Sequence, residues 1–494
     1  MKIPSNKFII AFIAGLLAVL GFAPFSLFPL SVVALALLFV QWQRAENAWI
    51  AAKLGLAFGL GLFGAGVSWI YVALHDYGDM PFLLALPFTI LFAFVLTLFP
   101  TLAGYTQGRL QAPVWLRVTL IMPVLWVLSE WLRGLAFTGF PWLALGYSQV
   151  DASPLVGYAP LLGVYGVSLA VAVSAGLLAL LWQERGSQQG QAVLAVLVVL
   201  WFAGVALRTV EWTQPHGVPI KVSLIQGNIG QKIKFREENL VNTLETYRRM
   251  ILSSDAKLIV LPESALPLMR SEVPESYLDV LSNHMRKNGG DIIIGSFDRE
   301  QGSYYNSVFT LGTAEPQHYR KNHLVPFGEF IPLRPVLGWF INEFLNIPMS
   351  DLARGGIAQP PINAAGQKIA MNICYEDVFG EEIIRALPAA DLLINVSNDA
   401  WYGNSHAAIQ HNQISQMRAL ETGRMMLRAT NTGVTSIISR SGHVNQMLPQ
   451  HQEGVLTGMV QGYEGSTPYV RWGNTLVLGL LALMLLVAWA LRRP

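Results

Sequence analysis

A single cysteine, Cys374, lies in the stretch QKIAMNICYEDVFG at residues 367–380, and the chain of 494 residues has no other. Small and apolar residues precede it, and Tyr375 and Glu376 follow it directly. Because no second thiol exists, Cys374 cannot form an internal disulfide. It is therefore a structural apolar residue, a metal ligand without thiol partners, or a nucleophile.

Two further residues could assist a thiol nucleophile. Glu263 ends the apolar run LIVLPES, and Lys321 lies in YRKNHLVPFGEF, where Glu329 follows it. A thiol attacks only as the thiolate, and a neighbouring carboxylate can remove its proton. A fixed ammonium favours the thiolate and can stabilise the oxyanion of a tetrahedral intermediate. Spacing alone leaves a thiol enzyme and a structural cysteine equally open.

These residues follow short apolar runs that resemble buried strands. The runs are 220–229, 256–264, 290–298, 304–313, 368–376, 391–399 and 433–442. Helical patterns at 236–253 and 405–424 lie between some of them. Strands that alternate with helices predict an α/β domain, and active sites of such domains gather beyond the carboxyl ends of strands.

The composition indicates a membrane protein, since 53% of the residues are hydrophobic and only 13% are charged. About a quarter of an average soluble domain is charged. We predict a membrane domain with seven spanning helices at residues 1–210, an α/β domain at 218–465 and a last spanning helix at 470–494. The eight spans are expected near 8–23, 26–43, 49–74, 81–105, 115–137, 158–183, 191–208 and 474–491.

The basic residues of the short loops predict the orientation of the chain. With eight spans, all of the following lie on one side: Lys2, Lys7, Arg44, Lys53, Arg109, Arg117, Arg185, Arg492 and Arg493. The positive-inside rule then puts both termini in the cytoplasm and the 218–465 domain outside it. In a bacterium that face is the periplasm, where a lone cysteine has no internal partner for oxidation. The net charge of only +2 gives no indication of nucleic-acid binding.

Two ionisable residues, Glu130 and Arg133, fall inside a predicted span. Ionisable groups within membranes are functional candidates by default. Their spacing suits a local ion pair, and we expect them to lie at a helix end and to reach the lipid headgroups.

The motifs PESALP, YRKNHLVPFGEF, NICYEDVFG and NVSNDAWYG resemble those of the nitrilase-type amidohydrolase superfamily. With the spans and GFAPF near the start, the whole chain resembles the bacterial apolipoprotein N-acyltransferase family. The resemblance implies a polytopic α-helical membrane domain of about eight spans joined to a nitrilase-like αββα sandwich.

Residue by residue, the resemblance implies a catalytic triad of Glu263 as base, Lys321 as oxyanion partner and Cys374 as nucleophile. The residues that it implies as supporting are Glu329, Tyr375, Glu376 and Glu421. Where some relatives carry Trp after QGNI, this chain has Phe235, so an aromatic side chain is kept.

The implied reaction is acyl transfer in two halves. Cys374 takes an acyl chain from a membrane phospholipid, with phosphatidylethanolamine as the expected donor. The thioester then acylates the α-amino group of a diacylglyceryl-cysteine at the N-terminus of an apolipoprotein. The implied location is the bacterial inner membrane with a periplasmic catalytic domain. The scattered histidines predict no metal site, and no cofactor and no nucleic acid are expected.

Two other functions remain open at this point. A membrane-tethered nitrilase-type amidase would use the same triad with water and a small amide. A non-catalytic membrane protein would bind a partner with its outer domain and keep Cys374 as a structural residue. Thiol alkylation near neutral pH is expected to distinguish a low-pKa nucleophile from an inert buried cysteine.

The apolar stretch PVLGWFINEFLNIPM at 335–349 predicts a lipid-entry lid that includes Trp339, Phe340 and Phe344. It lies between Lys321 and Cys374, where loops that cover a site arise. Its aromatic content suits a membrane interface. The alternative is a core helix.

Overall fold

The computed structural model describes residues 6–331 and 351–492. The predicted lid with Trp339, Phe340 and Phe344 lies outside the described residues. The chain divides into two compact units. A helical unit comprises the residues up to Tyr71, Leu83–Glu211 and the residues from Arg471, and a sheet unit comprises Val72–Phe82 and Trp212–Val470.

The helical unit contains apolar helices at all eight predicted positions. Among the helices that the structure describes, five have the length and composition to cross a membrane, namely α3 (Ala48–Gly66), α4 (Phe82–Arg109), α5 (Val114–Arg133), α6 (Pro154–Gln183) and α7 (Gln188–Arg208). Three are shorter, namely α1 (Asn6–Val19), α2 (Phe28–Gln43) and the C-terminal helix (Thr475–Leu491). These last three have 14, 16 and 17 residues, just below the length of about 20 that spans a bilayer core.

Three of the predicted spans are too long at their C-terminal ends. Helix α5 ends at Arg133 rather than residue 137. The first helix ends at Val19 rather than residue 23, and Pro24, which cannot continue a helix, follows closely. Helix α3 ends at Gly66 rather than residue 74, after a glycine-rich turn of low helix propensity. The residues that follow, Val72–Phe82, belong to the sheet unit.

Helix α6 contains a kink that its apolar pattern does not reveal. Gly163 has φ +66° and ψ −171° inside the helix. That conformation is accessible to glycine and strained for other residues, so this position requires glycine.

The prediction that Glu130 and Arg133 reach lipid headgroups is wrong. Each side chain is only 3% exposed. Glu130 Oε1 accepts hydrogen bonds from Trp126 Nε1 and Leu145 N, both at 2.9 Å, and Arg133 Nη1 donates to Phe140 O at 2.7 Å. Both residues therefore anchor the chain that follows α5, because a buried charge needs hydrogen-bond partners.

In its described residues, 212–331 and 351–470 with 72–82, the sheet unit has two six-stranded sheets. The first has the order β12-β1-β2-β3-β4-β5, with β1 (Thr213–Gln226), β2 (Leu258–Val260), β3 (Asp291–Glu300), β4 (Ser303–Gly312), β5 (His318–Arg320) and β12 (Gly454–Gly465). The second has the order β11-β10-β9-β8-β7-β6, with β6 (Ile362–Ala364), β7 (Gln367–Ile373), β8 (Leu392–Ser397), β9 (Met426–Thr430), β10 (Ser436–Ile438) and β11 (Val444–Met447).

The central strands of both sheets run parallel. In the first sheet β2 is parallel to β1 and β3, and in the second β8 is parallel to β7 and β9. Every residue of β2 and β8 is buried, which confirms the prediction of strands covered on both faces.

Three apolar layers hold the sandwich together. The middle layer combines side chains of both sheets, for example Val222 and Val260 of the first and Ile373 and Val396 of the second. Helices α8 (Glu237–Leu252) and α9 (Glu275–Lys287) supply side chains to a layer on the outer face of the first sheet. Helix α10 (Ala407–Thr422) contributes Ala419 to a layer on the second sheet. The unit is thus an αββα sandwich, as expected, and α8 and α10 confirm the two predicted helical patterns.

Candidate active site

The three predicted triad residues follow three different strands of the two sheets. Glu263 comes after β2, Lys321 directly follows β5, and Cys374 directly follows β7. Glu263 and Lys321 are 7% and 1% exposed, whereas Cys374 keeps some accessible surface. The charges of Glu263 and Lys321 both act on the Cys374 thiol, so the structure brings the three residues together.

Lys321 is held between two glutamates. Its Nζ lies 2.9 Å from Glu329 Oε1 and 3.5 Å from Glu263 Oε1. Burial opposes the charge of the ammonium, but the carboxylates of Glu329 and Glu263 outweigh it and raise the pKa of Lys321 well above its ordinary value. Lys321 is therefore a permanent cation beside the thiol.

Glu263 is fixed by hydrogen bonds to both of its oxygens. Asn306 Nδ2 donates to Oε1 at 2.7 Å, and the backbone N–H of Asn398 donates to Oε2 at 2.8 Å. The same Asn306 nitrogen also donates to Glu329 Oε1 at 3.0 Å. Sequence reasoning missed Asn306, because its position inside strand β4 gives no motif.

The backbone at Cys374 has a left-handed conformation, with φ +55°. Non-glycine residues with positive φ are uncommon and cluster at functional sites. Strand β7 ends at Ile373, and a helical turn, Cys374–Val378, begins with the cysteine. The sharp change of direction exposes the thiol at the strand end.

Glu376 holds this turn to the loop that follows Lys321. Its Oε2 accepts from Ile373 N at 2.7 Å, and its Oε1 accepts from Asn322 N at 2.6 Å and His323 N at 3.1 Å. Tyr319 donates its hydroxyl to Oε2 at 3.0 Å. Burial raises the pKa of Glu376 to about 7. These contacts of Glu376 fasten the turn to the loop.

The other residues implied by the resemblance surround the site at different distances. Tyr375 is buried, and its ring packs edge-on against Phe379 at 5.3 Å. Glu421 is fully buried near the end of α10, where it pairs with Arg418 at 2.9 Å. Phe235 is 40% exposed and its ring lies 6.3 Å from that of Phe297.

The surroundings of Cys374 disfavour the thiolate. Burial and the Glu263 carboxylate raise the pKa of Cys374, and the lowering effect of Lys321 does not compensate for them. A nucleophilic Cys374 needs a base to remove its proton, and Glu263 is the adjacent carboxylate.

A second buried lysine lies behind Glu263. Lys234 Nζ donates to the carbonyl oxygen of Glu263 at 3.2 Å and to Ser264 Oγ at 2.8 Å. Burial lowers the pKa of Lys234 to about 7, although Glu263 opposes this. Lys234 thus fixes the turn that carries the base. The sequence QKIKF gives no indication that Lys234 has this role.

Comparison with known proteins identifies the family of the chain. A family model for the apolipoprotein N-acyltransferase N-terminal domain matches residues 14–177, and a carbon-nitrogen hydrolase model matches 221–469. An apolipoprotein N-acyltransferase of Nitrosomonas europaea is 51% identical over 97% of this chain and 96% of its own.

The chain belongs to the apolipoprotein N-acyltransferase family. The member from Chromobacterium violaceum is 45% identical over 98% of this chain and 94% of its own. Among solved structures, a carbon-nitrogen hydrolase superfamily protein from Xanthomonas campestris covers 55% of this chain and 97% of its own, with 17% identity and a TM-score of 0.37.

Within the described residues, no group of three or more His, Cys, Asp or Glu side chains could hold a metal ion.

Proposed function

We propose that this membrane protein transfers a fatty acyl chain from a membrane phospholipid to the N-terminus of an apolipoprotein, with Cys374 as the acyl carrier. The observation that carries the proposal is the buried Glu263–Lys321–Glu329 ion-pair cluster beside a thiol on a left-handed turn. The name shared by relatives at 51% and 45% identity supports the substrates. Phosphatidylethanolamine is the proposed donor.

The first half-reaction forms a thioester. Glu263 removes the proton of the Cys374 thiol as the sulfur attacks the ester carbonyl carbon of the phospholipid. Lys321 stabilises the oxyanion of the tetrahedral intermediate. The carbon–oxygen bond of the ester then breaks, Glu263 returns the proton to the leaving oxygen, and a lysophospholipid departs.

The second half-reaction forms an amide. The neutral α-amine of the diacylglyceryl-cysteine attacks the thioester carbonyl, and Glu263 takes the proton that the nitrogen loses. Lys321 again stabilises the oxyanion. The carbon–sulfur bond breaks, the Cys374 sulfur recovers the proton from Glu263, and the free thiol is regenerated.

The test is mass spectrometry of the protein after incubation with phosphatidylethanolamine vesicles without acceptor. We expect the Cys374 peptide to gain the mass of one acyl chain and to lose it when a diacylglyceryl peptide is added. The Cys374→Ala variant, which is smaller at an already accessible position, should insert normally and gain nothing. Release of free fatty acid instead of an N-acylated peptide would support the amidase-like alternative.

We also propose that the protein lies in the bacterial inner membrane with both termini in the cytoplasm and the sheet unit in the periplasm. The distribution of Lys and Arg in the short loops supports this orientation. We propose that the membrane domain comprises residues 1–210, the catalytic domain residues 218–465 and the last spanning helix residues 470–494.

A further inference from the structure

The amide side chain of Asn306, in strand β4, lies between the two glutamates of the candidate site. Its Nδ2 donates to Glu263 Oε1 at 2.7 Å and to Glu329 Oε1 at 3.0 Å. Its backbone oxygen accepts a hydrogen bond from Lys321 N at 2.8 Å. Asn306 thus binds both carboxylates with its side chain and holds the chain at Lys321 with its backbone.

Every oxygen of the two carboxylates receives a hydrogen-bond donor. Glu263 Oε2 accepts from Asn398 N at 2.8 Å, and Glu329 Oε2 accepts from Val325 N at 2.8 Å. Glu329 Oε1 also accepts from Lys321 Nζ at 2.9 Å. Backbone and amide N–H groups donate and do not accept, so these contacts fit two ionised carboxylates better than a protonated one.

A single cation faces these two anions. Lys321 Nζ lies 2.9 Å from Glu329 Oε1 and 3.5 Å from Glu263 Oε1. Two carboxylates that share a site tend to keep one proton between them, because like charges disfavour the second ionisation. A proton held in this way would occupy Glu263 before the base met the thiol. Because an amide does not ionise, Asn306 offers one N–H to each carboxylate and releases a proton to neither.

The orientation of this amide has a cost in stability. Asn306 is only 3% exposed, and within the described residues its Oδ1 accepts no hydrogen bond. An unpaired buried oxygen destabilises a fold, and in a native structure it requires a separate explanation. The two carboxylates provide one, since the reversed amide would point its oxygen at the oxygens of Glu263 and Glu329.

We propose that Asn306 is a positioning residue that prevents Glu263 and Glu329 from sharing a proton, so that Glu263 stays free to accept the proton of the Cys374 thiol. In that step the S–H bond breaks, the proton moves to Glu263, and Asn306 keeps both protons of its amide. The inference rests on the proposed function, in which Glu263 is the base, and it deepens that proposal.

Other titratable groups also act on this proton transfer. Those around Glu263 and the thiol are Lys234, Lys321, Glu329, Asp399 and Tyr402. Each of them remains when only Asn306 is replaced. A change in the pH dependence of the thiol's reactivity therefore reports on the amide.

The test compares two substitutions of Asn306 with a matched substitution elsewhere. Asn306→Ala removes both donors and adds no charge, whereas Asn306→Asp keeps the shape and adds a third carboxylate. Asn412→Asp is the control, because Asn412 is also buried, at 5% exposed, but lies on helix α10. Its Oδ1 accepts from Ser436 Oγ at 2.6 Å, a contact that an aspartate can keep.

The rate of Cys374 alkylation by iodoacetamide is measured in each protein across the pH range over which the rate rises. We expect the midpoint of this profile to move up by about one pH unit in Asn306→Asp, since the shared proton must be lost before Glu263 can act as base. On the rising limb this corresponds to about a tenfold lower rate at a fixed pH. Asn306→Ala should shift the midpoint upward by less, and Asn412→Asp should keep it.

An unchanged midpoint in Asn306→Ala would overturn the inference even if the rate fell, because a structural role alone lowers the rate alike at every pH. An equal shift in Asn412→Asp would overturn it as well. If Asn306→Asp fails to insert, the uncharged Asn306→Ala decides.

Alkylation needs no lipid, so the result does not depend on acyl transfer. If the midpoint moves in the Asn306 variants while phosphatidylethanolamine vesicles never acylate Cys374 of the unmodified chain, the role of Asn306 stands and the proposed acyl transfer fails. The two ideas are therefore distinguishable.

Discussion

At the residue scale, the candidate site has a carboxylate that can accept a proton, Glu263, beside a fixed cation, Lys321. Glu263 and Glu329 both contact Lys321, and Glu263 also raises the pKa of the Cys374 thiol. The carboxylate that disfavours the thiolate at rest is therefore the one placed to receive its proton.

Exchange of each triad partner should affect the two half-reactions differently. We expect Glu263→Gln to block thioester formation, because the amide cannot accept the thiol proton. Lys321→Ala should slow both half-reactions by about 10²–10³, since each passes through an oxyanion. Rapid-quench measurement of each half-reaction tests this. An unchanged rate from pre-formed thioester to amide in Lys321→Ala would argue against the oxyanion role.

Lys234 should make the stability of the sheet unit depend on pH. Its pKa falls from 10.5 in the unfolded chain to about 7 in the fold, so the unfolded chain binds more protons between these values. Its contribution to the free energy of unfolding therefore rises with pH from about 7 to 10.5, by up to about 1.4 kcal/mol per pH unit. Below pH 7 Lys234 is charged in both the folded and the unfolded chain, so its burial lowers the free energy of unfolding by a constant amount.

The measurement is the thermal midpoint of the purified protein at pH 7.5 and pH 9.5. The thermal midpoint of the unmodified chain should rise between these two pH values. We expect the midpoint of the Lys234→Met variant to rise less. An exposed lysine, Lys232, serves as the control position, and Lys232→Met should keep the increase. The same pH dependence in all three proteins would show that Lys234 does not titrate as inferred.

At the element scale, strand ends and turns place the reacting groups. The turn Asp399–Tyr402 begins with the buried side chain of Asp399 and is followed by Gly403. The segment Val72–Phe82 packs in the same unit, and a side chain at Gly403 would meet Val72 Cγ1 at 3.1 Å. Gly403 thus permits a close contact as well as a positive φ of +51°.

Gly403→Ala should therefore reduce both stability and the rate of thioester formation. The left-handed backbone alone costs about 1–3 kcal/mol, and the contact with Val72 adds to this and displaces the turn. Gly289→Ala is the matched control, since Gly289 has φ +62° with nothing within 4 Å of the added carbon. We expect the control to lose stability only. If both variants keep full activity, the contact does not position the turn.

At the scale of the whole molecule, the chain combines a sandwich unit with a helical unit that contains spans. Acyl transfer between two lipid-anchored substrates requires chemistry at a bilayer surface, and apolar helices provide the anchor. The large exposed apolar side chains of α4 and α7, such as Leu83 and Phe202, are suited to contact lipid.

The proposed orientation predicts which loops are reachable from outside the cell. In a Cys374→Ala background, Asp79→Cys between α3 and α4 should react with a membrane-impermeant maleimide in cells whose outer membrane has been permeabilised. Gln111→Cys, which follows α4, should react only after the inner membrane is opened. Both positions are exposed. The reverse labelling pattern would contradict the orientation.

The sequence alone determined much of this protein. Eight apolar helices were predictable because a bilayer requires about 20 apolar residues per span, whatever the tertiary contacts. The alternation of strands and helices predicted the α/β sandwich, since strands buried on both faces are apolar throughout. Glu263, Lys321 and Cys374 were found as polar residues at the ends of such strands, together with the family resemblance of their motifs.

Only the tertiary structure decided how these groups behave. The raised pKa of Cys374 depends on burial and on Glu263, more than one hundred residues away in the chain. Asn306 and Lys234 hold the base through contacts between elements distant in sequence. Asp377, Asp399, His411 and Arg428 are buried and paired with one another, yet they lie in four separate elements. The sequence of each element does not indicate these contacts. Pairwise electrostatics and hydrogen bonds depend on distances in space, and residue spacing along a chain does not contain those distances.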